Sequence, residues 1–262
     1  MVDTKLKRLK FIGCEVLYRE ACYLAASSPH RVDVQFLRKG LHDLEKSDML
    51  SQVQAAIDAA EADGGYEAIL LGYARCNDGL AGTTARSIPL VLPRAHDCIT
   101  LFFGSRQAYK EYFDDHPGTF YATTGWLERD DFLSKGGSQL AGGQSGVMAK
   151  LGLADSYEQM VAKYGKENAD FIVQSIGDWR KNYSRMLYIR MDVCDETSLI
   201  EYAGLKAAEN SWEFHLRQGD LSLLRKLFWG QWDQDFLVVP PGGVIVARND
   251  EQIVDCKMSG AR

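Results

Sequence analysis

The chain has 262 residues, of which 46% are hydrophobic and 25% are charged, as in an ordinary globular protein. A length of this kind fits one large domain or two lobes that share a core. The formal net charge of −6 argues against a nucleic-acid partner held through phosphate contacts. No segment reaches the roughly 18 apolar residues of a membrane span, and the first residues lack the apolar region of a signal peptide. We therefore expect a cytoplasmic protein whose thiols stay reduced.

Strand and helix signals alternate in the first part of the chain, which predicts a parallel sheet flanked by helices. The predicted elements are strand Leu9–Val16, helix Tyr18–Ser27, strand Val32–Leu37, helix Ser47–Ala62 and strand Glu67–Gly72. The second helix carries apolar residues at three- and four-residue spacing and is stopped by Gly64 and Gly65.

The middle of the chain is less regular. Its predicted elements are strand Ile88–Leu92, helix Cys98–Phe113, strand Phe120–Thr123 and helix Ser156–Arg180, the last covering the sheet or forming a dimer interface. The segment Gly136–Gly146 contains five glycines in eleven residues, which predicts a loop. This loop is either a mobile cover over a cleft or a disordered connector, and it lacks the spacing of a nucleotide-binding fingerprint.

The last third repeats the element order of the first. It is predicted to contain strand Met186–Met191, helix Ser198–Asn210, strand Trp212–Arg217, helix Leu221–Trp229 and strand Asp235–Val239. We therefore predict an α/β fold of two Rossmann-like βαβαβ lobes, an internal duplication relating residues 9–75 to 186–243. The sheet is expected to be mainly parallel, with a cleft at the carboxyl ends of the strands. The predicted domains are residues 1–130 as the N-terminal lobe with the cysteine site, 131–155 as the glycine-rich loop, and 156–262 as the C-terminal lobe with its covering helix.

Three cysteines lie at or just past the ends of predicted strands, namely Cys14, Cys76 and Cys98. Ligands bind at the carboxyl ends of strands in open α/β sheets, so the three thiols can meet at one point. Three thiolates suit zinc with one open position, or a [4Fe–4S] cluster with one open iron. The alternative is that all three are small buried hydrophobes. Cys22 lies in a predicted helix and Cys256 in the predicted terminal tail, so neither is expected to be a ligand. The role of Cys194 is ambiguous.

Polar residues accompany the thiols and supply candidate catalytic groups. His96 is a fourth ligand or a group that supports the ligands, and Asp97 can orient His96 or accept its proton. Arg94 can lower thiol pKa values or bind a carboxylate or phosphate with its guanidinium fork. The rest of this polar set is Glu15, Tyr73, Arg75, Asn77 and Asp78, and a solvated rim is the alternative for several of its members.

A family resemblance rests on the string Pro93-Arg94-Ala95-His96-Asp97-Cys98-Ile99-Thr100-Leu101. Together with Gly13-Cys14, Leu71-Gly72-Tyr73 and Thr123-Thr124-Gly125-Trp126, it resembles the uncharacterised bacterial and archaeal family known as domain of unknown function 1638. The resemblance points toward corrinoid-dependent methyl-transfer systems. The His-x-Cys pair with distant cysteines is also similar to the zinc site of thiol-activating methyltransferases, which have a different fold.

These observations predict a metalloprotein with a zinc or iron–sulfur site in a cleft between two lobes, serving corrinoid- or thiol-dependent methyl transfer. As an enzyme, it would activate a thiol or a small oxyanionic substrate. The alternatives are a carrier that delivers a metal or corrinoid to a partner protein of a corrinoid system, and a metal-free protein that binds a small anionic molecule. No nucleic-acid or membrane partner is expected.

Overall fold

The computed structural model describes residues 5–39, 41, 46–76, 78–129, 157–170 and 179–258. The chain forms two compact units. Unit 1 comprises Met1–Lys110, Met191–Cys194 and Gly219–Arg262, and unit 2 comprises Glu111–Arg190 and Asp195–Gln218. This division differs from the predicted boundaries at residues 130 and 156, because the C-terminal segment groups with the N-terminal strands.

Unit 1 is built on a five-stranded sheet. Four of its strands run parallel: β1 (Arg8–Cys14), β2 (Arg31–Leu37), β3 (Ala68–Gly72) and β4 (Leu90–Pro93). The fifth, β8 (Phe236–Val239), pairs antiparallel with β4, so the strand order is β2-β1-β3-β4-β8. The strands β3 and β4 are buried along their whole length, as expected for the centre of a sheet that is covered on both faces.

The helices of this part of the chain follow the predicted positions with one correction. They are α1 (Tyr18–Ser27), α2 (Lys46–Asp63), α3 (Cys98–Phe103), α4 (Arg106–Asp115) and α8 (Ser222–Phe228). The apolar stripe predicted in α2 is buried as expected. The single helix predicted over Cys98–Phe113 is broken at Gly104, whose φ of +73° ends α3 in the left-handed conformation that glycine adopts readily.

A C-terminal hairpin completes unit 1. It consists of β9 (Gly243–Ala247) and β10 (Val254–Met258), which pair antiparallel. The hairpin is tied to the β3–β4 connection, because the Ile245 amide donates to the Thr83 carbonyl at 2.8 Å and the Gly82 amide donates to the Ile245 carbonyl at 2.9 Å. This hairpin was not predicted, and it places Cys256 in a strand instead of a terminal tail.

Unit 2 contains a parallel three-stranded sheet in the order β5-β6-β7, formed by β5 (Thr119–Ala122), β6 (Arg185–Arg190) and β7 (Glu213–Gln218). Its helices include α5 (Thr124–Glu128), α6 (Tyr157–Tyr164) and α7 (Thr197–Glu209). A buried polar cluster joins the hydroxyls of Thr124 and Tyr188 to the Glu196 carboxylate, with all three contacts at 2.9 Å.

A mixed α/β fold with mostly parallel sheets is confirmed, but the strand orders of the two predicted repeats differ. In the first repeat all three strands lie in one parallel sheet. In the second, β6 and β7 pair parallel, whereas the third predicted strand, β8, lies in the sheet of unit 1 and runs antiparallel there. The chain therefore does not repeat a full βαβαβ unit over residues 9–75 and 186–243.

Two further predictions concern the middle of the chain. The helix predicted over Ser156–Arg180 is interrupted in its described part, where Gly165 follows α6 with a φ of +80°. The glycine-rich segment Gly136–Gly146 lies outside the described residues. Within the described ranges, no helix combines the length and the apolar character that crossing a bilayer requires.

Candidate functional site

A thiol and a phenol come together at the carboxyl edge of the unit 1 sheet. Cys14 ends β1, and Tyr73 directly follows β3. The two strands are neighbours that pair Gly13 with Gly72, so Cys14 and Tyr73 come at the same level. Both side chains pack on the apolar cluster that also contains the buried stripe of α2, and they therefore share one face of the sheet. Parallel α/β sheets bind their ligands at this edge.

The paired residues Gly13 and Gly72, which directly precede Cys14 and Tyr73, pack under the ring of Phe11. The Phe11 ring lies over both glycines, and an added Cβ would meet it at 2.4 Å from Gly13 and at 2.2 Å from Gly72. No side chain fits at either position without displacing this ring. On the same side of the sheet Phe11 packs against Phe228, with the ring centroids 4.9 Å apart. The glycines that precede Cys14 and Tyr73 are thus required by packing.

Cys76 adds a second thiol from a strained turn. Its φ is +46°, a conformation that costs a residue other than glycine on the order of 1–3 kcal/mol. The turn is held by its backbone, because the Cys76 amide donates to the His96 carbonyl at 3.3 Å and the Gly79 amide donates to the Cys76 carbonyl at 3.1 Å. An ion pair between Arg75 and Asp78 closes the turn from outside. Strain that neighbouring contacts maintain is a common property of functional positions.

Cys14, Tyr73 and Cys76 all pack in or against one apolar cluster, which shapes their protonation. Burial raises the pKa of the Cys76 thiol to about 12, against a smaller opposing backbone hydrogen bond, and Cys14 and Asp97 raise it further. Burial also raises the pKa of Tyr73, with added contributions from Cys14, Cys76 and Glu15. A thiol with so high a pKa is protonated at neutral pH, which disfavours a role for Cys76 as a free nucleophile.

The Tyr73 hydroxyl is the most unusual atom of the site. Tyr73 is only 3% exposed, and its hydroxyl has no hydrogen-bond partner among the described residues. Buried hydroxyls are normally paired, so an exception calls for an explanation such as an absent ligand.

The segment after β4 brings three more predicted residues to the same edge. Asp97 caps α3 by accepting from the Thr100 amide at 3.2 Å, and it also accepts from the Tyr109 hydroxyl at 3.0 Å. Cys98 is the first residue of α3 and is half-buried. The His96 side chain is exposed. Both Asp97 oxygens accept hydrogen bonds, so orienting His96 would require Asp97 to exchange one of these partners.

Arg94 is directed toward the C-terminal part of unit 1. Its guanidinium donates to the carbonyl oxygens of Phe236 at 3.3 Å, Gln252 at 2.9 Å and Val254. Burial lowers the pKa of Arg94, and the side chains that further influence it are Asp255, Arg106, Cys256 and Arg248. None of these is a predicted ligand. Arg94 therefore ties the end of β4 to β8 and to the hairpin, and binding a substrate anion would require it to give up these contacts.

The structure brings the predicted ligands together in part. Cys14 and Cys76 pack against the same apolar cluster, whereas among the described residues no three His, Cys, Asp or Glu side chains are arranged to hold a metal ion. The remaining cysteines of unit 1 lie in α1 (Cys22), in the segment Met191–Cys194 (Cys194) and in β10 (Cys256). Asn77, which belongs to the predicted polar set, lies outside the described residues.

Sequence reasoning counted Tyr73 both in the apolar run of β3 and in the polar set at the strand ends, and it did not single out the buried hydroxyl. One signal was present, because Tyr73 continues the apolar run of β3 after the glycine at its end. The role of Arg94 in holding the hairpin had no local signal, since the carbonyls that it binds lie more than 140 residues away along the chain.

Comparison with known proteins identifies the family of the chain but no characterised relative. No curated protein and no solved structure is significantly similar to the chain. The sequence profile of one family matches residues 36–228, a range that contains Cys76, Arg94, His96, Asp97 and Cys98 but not Cys14. The match covers most of the chain and agrees with the resemblance found in the sequence. The chain belongs to the family described as Protein of unknown function (DUF1638).

Proposed function

We propose that this protein binds a thiophilic metal, as a zinc ion or a [4Fe–4S] cluster, through Cys14, Cys76 and Cys98. The observation that carries the proposal is the placement of Cys14 level with the buried Tyr73 at the ends of two neighbouring strands, with Cys76 packed against the same apolar cluster, at the edge where α/β sheets bind ligands. Thiolates are the preferred ligands of both groups.

The third ligand requires a local rearrangement. Asp97 influences Cys76 electrostatically, and Cys98 follows Asp97 at the start of α3. In the metal-bound state the Cys98 side chain turns toward the other two thiols, while the Asp97 cap keeps the start of α3 in place. The strained turn at Cys76 supports this proposal, because its backbone contacts with His96 hold the two ligand segments side by side.

The bound metal would act on a small substrate. Three thiolates leave the fourth position of a tetrahedral zinc open, and a ligand bound there is activated by the positive charge of the ion. A thiol or a small oxyanion fits this position, in keeping with the corrinoid-dependent methyl transfer that the family resemblance implies and with the analogy to thiol-activating methyltransferases. The site needs only the strand ends of unit 1, so the proposal does not depend on the predicted duplication or on a cleft between lobes.

The alternatives have less support. A metal-free site for a small anion would need a free guanidinium, but Arg94 is engaged by backbone carbonyls. A carrier that delivers a metal or corrinoid would use the same three thiols, and would differ in releasing its metal to a partner protein.

The experiment is metal analysis of protein purified without oxygen and reconstituted in parallel with Zn²⁺ and with iron and sulfide. We expect one zinc ion or one four-iron cluster per chain. Cys14→Ser, Cys76→Ser and Cys98→Ser should each lose most of the metal, whereas the matched controls Cys22→Ser and Cys256→Ser should keep it. A wild-type protein without stoichiometric metal, or controls that lose as much as the ligand variants, would overturn the proposal.

A further inference from the structure

The outer strand of the unit 2 sheet is exposed along almost its whole length. β7 pairs with β6 on one side, and among the described residues no strand pairs with its other side. Five of its six residues are exposed, and the sixth, His215, is half-buried. An edge strand that keeps apolar side chains in solvent offers its free side for pairing with another chain. The outer edge of β7 is therefore a candidate interaction surface.

The apolar side chains of β7 lie on the face of the sheet that α7 covers. Phe214 is in register with Met186 of β6. Leu216 is in register with Tyr188, and both β6 residues belong to the buried cluster of unit 2. An added Cβ at Gly204 of α7 would lie 3.8 Å from the Phe214 ring. Phe214 is nevertheless 36% exposed and Leu216 is 50% exposed, so the apolar face continues past the helix to the edge of the sheet.

The backbone of β7 presents matching hydrogen-bonding groups at this edge. The Glu213 amide donates to the Ser184 carbonyl, on the β6 side, at 2.9 Å. Successive backbone amides of a strand point to opposite sides, so those of Phe214 and Leu216 point away from β6. Two facing residues of antiparallel strands that both point toward the partner exchange two hydrogen bonds. Phe214 of one chain can therefore bond Leu216 of a second copy, and the reverse.

The charges of β7 fit the same register. Pairing centred on His215 places Glu213 of one copy opposite Arg217 of the other, and two-fold symmetry repeats this pair. A register centred on Leu216 would instead place His215 opposite Arg217. The register centred on His215 thus satisfies the backbone groups, the apolar face and the charges together. Opposite charges that face each other across two strands stabilise the pair.

We propose that the chain forms a two-fold dimer in which β7 of one copy pairs antiparallel with β7 of the second copy. The two three-stranded sheets then form one continuous sheet. Phe214 of each copy packs on Leu216 of the other, on the face that carries both α7 helices. The Glu213 side chain is 71% exposed although it contacts Arg185 at 3.5 Å, which leaves room for Arg217 of the second copy. This inference goes beyond the proposed function and does not depend on a bound metal.

The test is sedimentation velocity of the full chain over a range of concentrations, with charge reversals at the two ends of β7. The wild-type protein should sediment as a dimer. Glu213→Arg and Arg217→Glu each place two like-charged pairs in the interface, and each should raise the dimer Kd by roughly ten- to a hundredfold. The matched control Glu67→Arg reverses an exposed charge of unit 1 and should leave the dimer Kd unchanged.

Mixing the two variants separates the loss of a facing charge pair from damage to the fold. An equimolar mixture of Glu213→Arg and Arg217→Glu chains should form a heterodimer with a Kd near that of the wild type. In that heterodimer the two arginines of one chain face the two glutamates of the other. A wild-type protein that stays monomeric would overturn the inference. It would also be overturned by a dimer Kd that neither reversal changes, or by reversed chains that do not associate when mixed.

Discussion

Replacing Tyr73 by phenylalanine should stabilise the metal-free protein, although it removes a polar group from the site. The phenyl ring keeps the packing of the tyrosine ring within the apolar cluster, and only the hydroxyl is lost. A buried hydroxyl without a partner costs about 1–3 kcal/mol, so its removal should recover a good part of that amount. For a chain of this size the rise in Tm should be about 2–4 °C for each kcal/mol.

The assay is urea denaturation of metal-free protein, followed by fluorescence and compared with Tyr66→Phe. The Tyr66 hydroxyl donates to Asp33 at 3.0 Å and accepts from Arg8 at 3.3 Å, so its removal leaves charged groups with fewer partners. The Tyr66 variant should therefore lose about 1–3 kcal/mol, and the two substitutions should change stability in opposite directions. If Tyr73→Phe lowers the free energy of unfolding by about 1 kcal/mol or more, the Tyr73 hydroxyl already has a partner and the reasoning is refuted. This threshold is about the net stabilisation that one hydrogen bond provides.

Three further predictions follow from the same contacts. Gly13→Ala should destabilise unit 1 by about 1–3 kcal/mol, because its Cβ would lie 2.4 Å from the Phe11 ring; an unchanged urea midpoint would contradict this packing. Burial tends to raise the pKa of Asp33, but hydrogen bonds from its arginine and tyrosine partners outweigh burial and the pKa is lowered. The resulting stability is complete above the unfolded pKa of about 3.9 and is lost as the pH falls through the lower folded value. Asp33→Asn should therefore weaken the acid dependence of the urea midpoint below about pH 4. Midpoint curves that stay parallel to those of the wild type would count against this prediction. Tyr188→Phe should cost about 1–3 kcal/mol by removing a donor to the buried Glu196 carboxylate, and a thermal scan that matches wild type would show that this donor is dispensable.

The sequence predicts the strands and helices of unit 1 well, because their signals are local. The helix Tyr18–Ser27 matches residue for residue, and the buried stripe of α2 follows from its apolar spacing. The sheet that a strand joins is not a local property. The apolar run of β8 is compatible with either sheet, and its antiparallel pairing with β4 is set by tertiary contacts.

The candidate site was predictable only at the level of strand ends. Placing Cys14 and Cys76 at one edge required the position of two strands, and the structure packs both cysteines against the same apolar cluster. The contacts of Arg94 could not be predicted, because they depend on a hairpin that folds back from the far end of the chain. The burial of Tyr73 also depends on packing by α2, which sequence spacing does not report.

The central claim is that Cys14, Cys76 and Cys98 bind one metal centre. X-ray absorption on anaerobically purified protein, at the edge of whichever of zinc or iron it retains, tests this claim most directly. For zinc we predict a first shell of three sulfur atoms at about 2.3 Å with one lighter neighbour, which changes when any of the three cysteines is replaced by serine. A shell made only of oxygen or nitrogen atoms, or protein that holds neither metal in stoichiometric amount after reconstitution, would contradict the account.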